Sequence, residues 1–278
     1  MRTWSFAKGH GTQNDFVILV DRGNLLGMGA DEVRFLCDRR AGIGADGVLR
    51  ATMASHLDGW TGDPDLWFMD YRNADGSIAE MCGNGLRVFA RHLTDEGLVT
   101  SDPFDVVTRA GVRHCVVHRD QSVSVSMGQV RIDETPVLVR LGEKSWDAVE
   151  GDVGNPHAVI TVVDAAELAS LDLSRAPTWE PADRYPNGVN VEFIHEVAPR
   201  HLDMRVHERG SGETMSCGTG TVAAAAAWAR AHAVWAGDYR VDVPGGTVVV
   251  SISDAGEAVL TGPAVIVAHG DVSVPGRS

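Results

Sequence analysis

At 278 residues the chain suits one large domain or two modest ones. Lys plus Arg total 24 against 38 for Asp plus Glu, a formal charge of −14. That balance argues against a nucleic-acid backbone or an anionic membrane surface as partner, and 44% hydrophobic residues argue against disorder. No run of about 18 apolar residues predicts a membrane span, and Met1 to Lys8 lack the apolar stretch of a signal peptide. In chain order, Phe16 to Val20 reads as a strand, residues 31–39 as a helix, and Asp75-Gly76 as a turn. A second helix is predicted over 83–96, then strands at Asp105–Thr108, Val116–His118 and Ser122–Ser126. Ala158 to Val163 follows as a strand, a short helix near 164–170, and a strand from Val189 to Ile194. The last predicted helix covers 218–233, followed by strands at Val241–Val243, Thr247–Ile252 and Ala264–Val267. Strands outnumber well-marked helices without regular βαβ alternation, so the fold class is α+β.

A comparison of the two halves adds more than any single element. Met81-Cys82-Gly83-Asn84-Gly85 opens one helix and Ser216-Cys217-Gly218-Thr219-Gly220 opens another, 135 residues later. The same offset aligns Asn73 with Glu208, and Asn14-Asp15-Phe16 is echoed more loosely by Asn155-Pro156-His157. Two similar domains are therefore predicted, 1–128 and 129–265, with a break between strand runs near 127–136. The second helix carries Ala223 to Ala227. Alanine is the strongest helix former and presents little bulk, so this helix is predicted to sit inside a tight wrapping of strands; an exposed alanine-rich helix is the alternative.

Of four cysteines, none forms a C-x-x-C pair, which weakens metal and thioredoxin-like readings and suits free thiols in a reducing cytoplasm. Cys82 and Cys217 each precede a Gly-x-Gly helix start, where backbone N–H groups lack intrahelical partners. The partial positive charge there favours thiolate over thiol, and the free N–H groups form a socket for a carboxylate. Two such thiols fit proton removal and return on opposite faces of the carbon beside a carboxylate, needing neither metal nor pyridoxal cofactor. Buried core cysteines and a redox pair remain open on the residues alone. Cys37 and Cys115 read as core.

The ordered set of motifs resembles the diaminopimelate epimerase family over nearly the whole chain. It comprises His10-Gly11-Thr12-Gln13-Asn14-Asp15-Phe16, Gly42-Ile43-Gly44-Ala45-Asp46-Gly47, Asn73-Ala74-Asp75-Gly76-Ser77 and Met81 to Arg87. It continues in Gly154-Asn155-Pro156-His157, Asn187-Gly188-Val189-Asn190, Glu208 to Thr214 and Cys217-Gly218-Thr219-Gly220. The resemblance implies two pseudo-symmetric domains, each a curved, mostly antiparallel sheet wrapped around a central helix, with the last strand (266–278) joining the first domain. It implies cofactor-independent interconversion of LL- and meso-2,6-diaminoheptanedioate in lysine and peptidoglycan precursor synthesis, with Cys82 and Cys217 as acid and base. Gly83, Asn84, Gly218 and Thr219 would then offer N–H groups to the reacting carboxylate. Asn14, Asn73, Asn155 and Asn190 would bind the substrate's ammonium and carboxylate groups, Arg209 its distal carboxylate and Glu208 an ammonium. His157 and Glu208 would tune the thiols. A small-molecule substrate, no nucleic acid, no membrane, a cytoplasmic setting and a homodimer complete the expectation. His10 and Asp46 are assigned to loop architecture.

The chain departs from the family pattern at Gln13, where glycine is frequent, and at Gly47, where some members carry a substrate-reaching glutamine. Proline racemase-like and hydroxyproline epimerase-like enzymes are the nearest rivals, but they carry His where this chain has Asn84. A non-catalytic amino-acid-binding protein would be expected to lose one cysteine, and a redox protein would work through a Cys82–Cys217 disulfide.

Overall fold

The computed structural model describes residues 2–276. Its first elements are β1 (Arg2–Gly11), β2 (Asn14–Val20), α1 (Ala30–Cys37), β3 (Gly47–Met53), β4 (Trp67–Asn73) and α2 (Gly83–Asp95). Next come β5 (Phe104–Thr108), β6 (Gly111–Val117), β7 (Ser122–Gln129), β8 (Arg131–Leu141), β9 (Lys144–Asp152) and β10 (Pro156–Thr161). They are followed by α3 (Ala165–Ser170), β11 (Thr178–Glu180), β12 (Asn190–Ala198), β13 (His201–Glu208), β14 (Gly212–Thr214) and α4 (Gly218–Ala231). The chain finishes with β15 (Gly237–Val243), β16 (Gly246–Ile252), β17 (Glu257–Pro263) and β18 (Val265–Val274).

Two compact units result, one from the described residues of Met1–Val125 and Pro263–Ser278, the other Ser126–Gly262. The chain leaves the first within β7 and re-enters it within β17. In the first unit the strands run β18-β1-β2-β3-β4-β5-β6-β7, antiparallel except for the parallel pairs β2–β3 and β4–β5. In the second they run β8-β9-β10-β12-β13-β15-β16-β17, again antiparallel except at the second and fourth steps from β9, β10–β12 and β13–β15. The topology is therefore duplicated. Each parallel step needs a crossover, and matched helices supply it: α1 and α3 at the first step, α2 and α4 at the second.

Each central helix is determined by burial. In α4 every residue from Gly220 to Ala229 is buried, and the helix touches β8, β9, β10, β12, β13, β15 and β16. One helix reaches seven strands of one sheet only when the sheet curves around it. Methyl side chains make that approach possible: Ala223 abuts Gly151 on β9, where a Cβ would lie 2.8 Å from the Ala223 methyl. The α2 helix, with larger side chains such as Leu86, Phe89 and Leu93 at 0% exposure, touches β1, β2, β3, β4, β6 and β18.

The structure corrects the predicted break over 127–136 as a gap between strand runs. Residues 131–136 open β8 and only Val130 separates it from β7. Pro136 is accommodated because the β8–β9 register shifts between Asp133 and Val137, an irregularity where a missing N–H is tolerated. β18 is longer than its predicted 264–267 core and pairs along β1 from Arg2↔Val274 to His10↔Val265.

Enlarging a methyl in the wrapped helix tests this packing. Ala225→Leu, at a position with 0% exposure, is expected to destabilise the protein by about 1–3 kcal/mol through overpacking. Ala231→Leu, at the exposed end of the same helix, is expected to leave the urea midpoint unchanged.

Candidate active site

Both helix starts carry the same local device. Cys82 and Cys217 are the N-caps of α2 and α4, in extended conformation, and each sulfur accepts the N–H of the third helical residue. The distances, Gly85 N to Cys82 Sγ and Gly220 N to Cys217 Sγ, are both 3.4 Å. Ser, Thr, Asp or Asn ordinarily fills this position. Sulfur accepts better as thiolate, so the cap biases both groups toward ionisation. Glycine is required at the third position of α4, where an added Cβ would lie 2.4 Å from Glu192 Oε1.

Around Cys82, in the first unit, the fold gathers Asn84 and Asn14. Cys82 Sγ donates to Asn14 Oδ1 at 3.7 Å, and Asn84 Nδ2 donates to the same oxygen at 3.3 Å. Asn14 Nδ2 donates to Asp46 Oδ2 at 2.8 Å, and Arg87 Nη2 donates to Asn84 Oδ1 at 2.9 Å. Both amides are thus oriented from their far ends. Asp46, assigned from sequence to loop architecture, also accepts the Asp15 N–H and Arg39, so it anchors the loop and Asn14 together. Asn73 ends β4 and donates to Ser77 Oγ at 3.0 Å, outside this hydrogen-bonded cluster.

The two departures at 13 and 47 have local explanations. Gln13 has φ +61° and Thr12 +50°, the left-handed region in which glycine carries no penalty. At Gly47 a Cβ would lie 2.6 Å from the Arg72 carbonyl oxygen and 2.7 Å from the Tyr71 ring. No side chain enters there without moving β4.

Around Cys217, in the second unit, the surroundings are acidic. Glu208 accepts from Cys217 and from Thr214 Oγ1, and Thr219 Oγ1 lies 3.6 Å from Cys217 Sγ. His157 is fully buried between Glu192 Oε1, 2.7 Å from Nδ1, and Asn155 Oδ1, 3.2 Å from Nε2. The parallel β10–β12 register sets His157 beside Asn190, whose Oδ1 accepts the Arg209 N–H at 2.9 Å. The Arg209 guanidinium donates to the Asn187 and Gly188 carbonyls. Burial first, then the charges of Glu208 and Glu192, push the Cys217 thiol well above its ordinary value. Burial likewise raises the Glu208 carboxyl, against the bonds from Thr214 and Cys217.

Glu192 was missed in the sequence. It is 0% exposed, and its Oε2 has no hydrogen-bond partner among the described residues. Its signal was a lone carboxylate within the apolar run Val191-Glu192-Phe193-Ile194, since a buried carboxylate needs a partner. Cys37 and Cys115 are buried. Burial raises the Cys37 thiol to about 12 and raises Cys115 further, so neither is poised to react.

The profile of the family described as diaminopimelate epimerase matches residues 6–132 and 151–267, including both cysteines. The chain belongs to the diaminopimelate epimerase family. It is 52% identical to the diaminopimelate epimerase of Thermobifida fusca, covering 96% of this chain and 97% of that one. With that of Streptomyces coelicolor it shares 49%, covering 96% and 94%. Among solved structures it is similar to a hydroxyproline epimerase from Agrobacterium vitis, with TM-score 0.71, 15% identity and coverage of 98% and 92%. A Bacillus anthracis phenazine biosynthesis protein of the PhzF family gives TM-score 0.70 at 16% identity, covering 99% and 100%. At such identities these two establish the fold alone. Among the described residues no helix is long and apolar enough to cross a membrane.

The raised Glu208 carboxyl has a consequence for stability. Its folded value lies above the ordinary 4.5, so the folded state binds this proton more tightly than the unfolded one. The resulting stabilisation is fully present below 4.5 and is lost as pH rises through the folded value. Thermal melts between about pH 4 and pH 8 are expected to fall for the wild type relative to Glu208→Gln, whose neutral amide removes this proton linkage. Parallel curves would contradict the assignment.

Proposed function

We propose that the chain interconverts LL- and meso-2,6-diaminoheptanedioate, using Cys82 and Cys217 as the two proton-transfer groups. It acts as an isomerase in lysine and peptidoglycan precursor synthesis. The observation that supports this most is the duplicated cap: two thiols, each accepting the third amide of a Gly-x-Gly helix, at equivalent points of a duplicated topology.

In one direction a cysteine thiolate takes the α-proton and becomes a thiol. The electron pair left on the α-carbon delocalises into the adjacent carboxylate. The second cysteine, a thiol at the start, gives its proton to the opposite face and becomes a thiolate. Protons and charge balance, configuration inverts, and the reverse reaction exchanges the two roles. The carboxylate gains charge as the carbanion develops, so preset donors stabilise the transition state more than the ground state. Amides of Gly83, Asn84, Gly218 and Thr219, at helix N-termini, are suited to that task.

The remaining groups fit a zwitterionic substrate. Asn14, Asn73, Asn155 and Asn190 offer both donors and acceptors. Glu208 suits an ammonium, and Arg209 a distal carboxylate. His157, held by Glu192 and Asn155, is read as tuning Cys217 together with Glu208. The scheme draws both acid and base from the protein and calls for no added cofactor. A cytoplasmic setting belongs to the same reading, since two working thiols need a reducing compartment, and a homodimer is the family expectation.

Incubation with LL-diaminopimelate in deuterium oxide is expected to place deuterium at the α-position, read by mass spectrometry alongside chiral separation. Cys82→Ala and Cys217→Ala are each expected to lose turnover by about 10²–10⁴-fold, the range for losing a general acid or base. Full turnover in either variant excludes the two-base scheme, and turnover of L-proline instead of diaminopimelate excludes the substrate.

A further inference from the structure

The equivalent cysteines have unlike electrostatic neighbours, and one buried residue accounts for much of the difference. Arg87, on α2, is 0% exposed. Helical side chains lean toward the N-terminus, and this one runs back to the helix start. Its Nη2 donates to Asn84 Oδ1 at 2.9 Å and to Thr12 Oγ1 at 3.1 Å. Gly11 makes room for it, since a Cβ there would sit 3.1 Å from Nη2. Nε and Nη1 are buried without a hydrogen-bond partner. Among the described residues no carboxylate pairs with this guanidinium.

Burial lowers the Arg87 guanidinium to about 10, so it remains a cation at neutral pH, and the charge that acts on it in the opposite sense is Cys82's. A buried charge without a counter-ion is strongly unfavourable. Three carboxylates of the first unit have cationic partners of their own, and Glu80, two residues before Cys82, is exposed to solvent. Asp15 pairs with Lys8 and Arg39, Asp46 pairs with Arg39, and Asp70 pairs with Arg50, Arg72 and Arg109. Asp46 also holds Asn14, whose carbonyl dipole opposes ionisation of Cys82. A full positive charge and the helix terminus act in the other direction. In the second unit the residue five after the cysteine is Val222, and the acidic partners of Cys217 are Glu208 and Glu192.

We propose that Arg87 is a positioning residue for the reaction, the buried counter-charge that makes Cys82 ionise ahead of Cys217. This rests on the reading of the two cysteines as the proton-transfer pair. Cys82 then enters the cycle as the base, Cys217 as the acid. The same guanidinium orients the Asn84 amide, which donates to the Asn14 carbonyl oxygen that also accepts the Cys82 S–H hydrogen bond.

The test is alkylation by iodoacetamide across pH, without substrate, with Cys82 and Cys217 read separately by peptide mass spectrometry. In the wild type the Cys82 profile is expected to rise at lower pH than that of Cys217. Arg87→Met is expected to slow Cys82 alkylation at pH 7 by about tenfold, the low end of effects from removing a neighbouring opposite charge, and to leave the Cys217 profile in place. Arg87→Lys is expected to restore most of the rate, because it keeps the charge without the forked geometry. If Arg87→Met does not fold by circular dichroism, Arg87→Gln, which keeps a polar side chain but removes the charge, is expected to move the Cys82 profile the same way. An unchanged Cys82 profile in a folded variant, or equal movement at both cysteines, overturns the proposal. Because no turnover is measured, a protein that shows the shift but fails to epimerise diaminopimelate refutes the proposed reaction and leaves the charge coupling standing.

Discussion

A sulfur accepting the N–H of the third residue of a helix is the interaction on which the rest of this molecule depends. It fixes where α2 and α4 begin, and it holds each thiol against the positive end of a helix. In the second unit Glu192 adds a demand for glycine, since at Gly220 even one methyl would collide with it. The residues flanking each cap then decide its chemistry. Amides and a buried guanidinium lie around Cys82, whereas the carboxylates of Glu208 and Glu192 act on Cys217. The two caps thus share an extended backbone and a 3.4 Å amide–sulfur contact while differing in the charges around them.

The duplication supplies the frame. A helix lying within a curved sheet presents its N-terminus at one end, and both units reach that arrangement by the same order of parallel and antiparallel steps. They fill the interior differently. One uses leucine and phenylalanine on α2; the other uses an alanine helix so slender that β9 approaches it at Gly151. Equal topology thus tolerates unequal packing, provided each helix matches its own sheet.

Much of this could be read from residues alone, for identifiable physical reasons. The four helices were legible because glycines, capping residues and helical periodicity mark their ends. The paired cysteines were legible because the Cys-Gly-x-Gly pattern recurs. β3 and β4 were not, because burial on both faces removes the alternation that marks a half-exposed strand: Gly47–Met53 is buried at six of seven positions. β1 and β9 gave no apolar run, and in β8 the run Val137-Leu138-Val139 is short and follows charged residues and Pro136. β13 does alternate, with Leu202, Met204 and Val206 buried, but its intervening charges masked the pattern. Within the site, the cysteines and asparagines lay in recognisable motifs. Glu192 and Asp46 act through other side chains, and only tertiary contact reveals which ones. Arg87 stood within a quoted motif, yet its burial could not be read from its charge.

The two sheets also differ in how their outer strand is supplied. β9 receives its neighbour from β8, the segment just before it, while β1 receives its neighbour from β18, at the far end of the chain. Trp4 and Val274 share one apolar cluster across that seam. During synthesis, therefore, the second unit has its strands in hand by Gly262, whereas the first unit waits for β18 to emerge. Its nascent β1 carries an open edge throughout that interval, the period when the growing polypeptide is most exposed to mispairing.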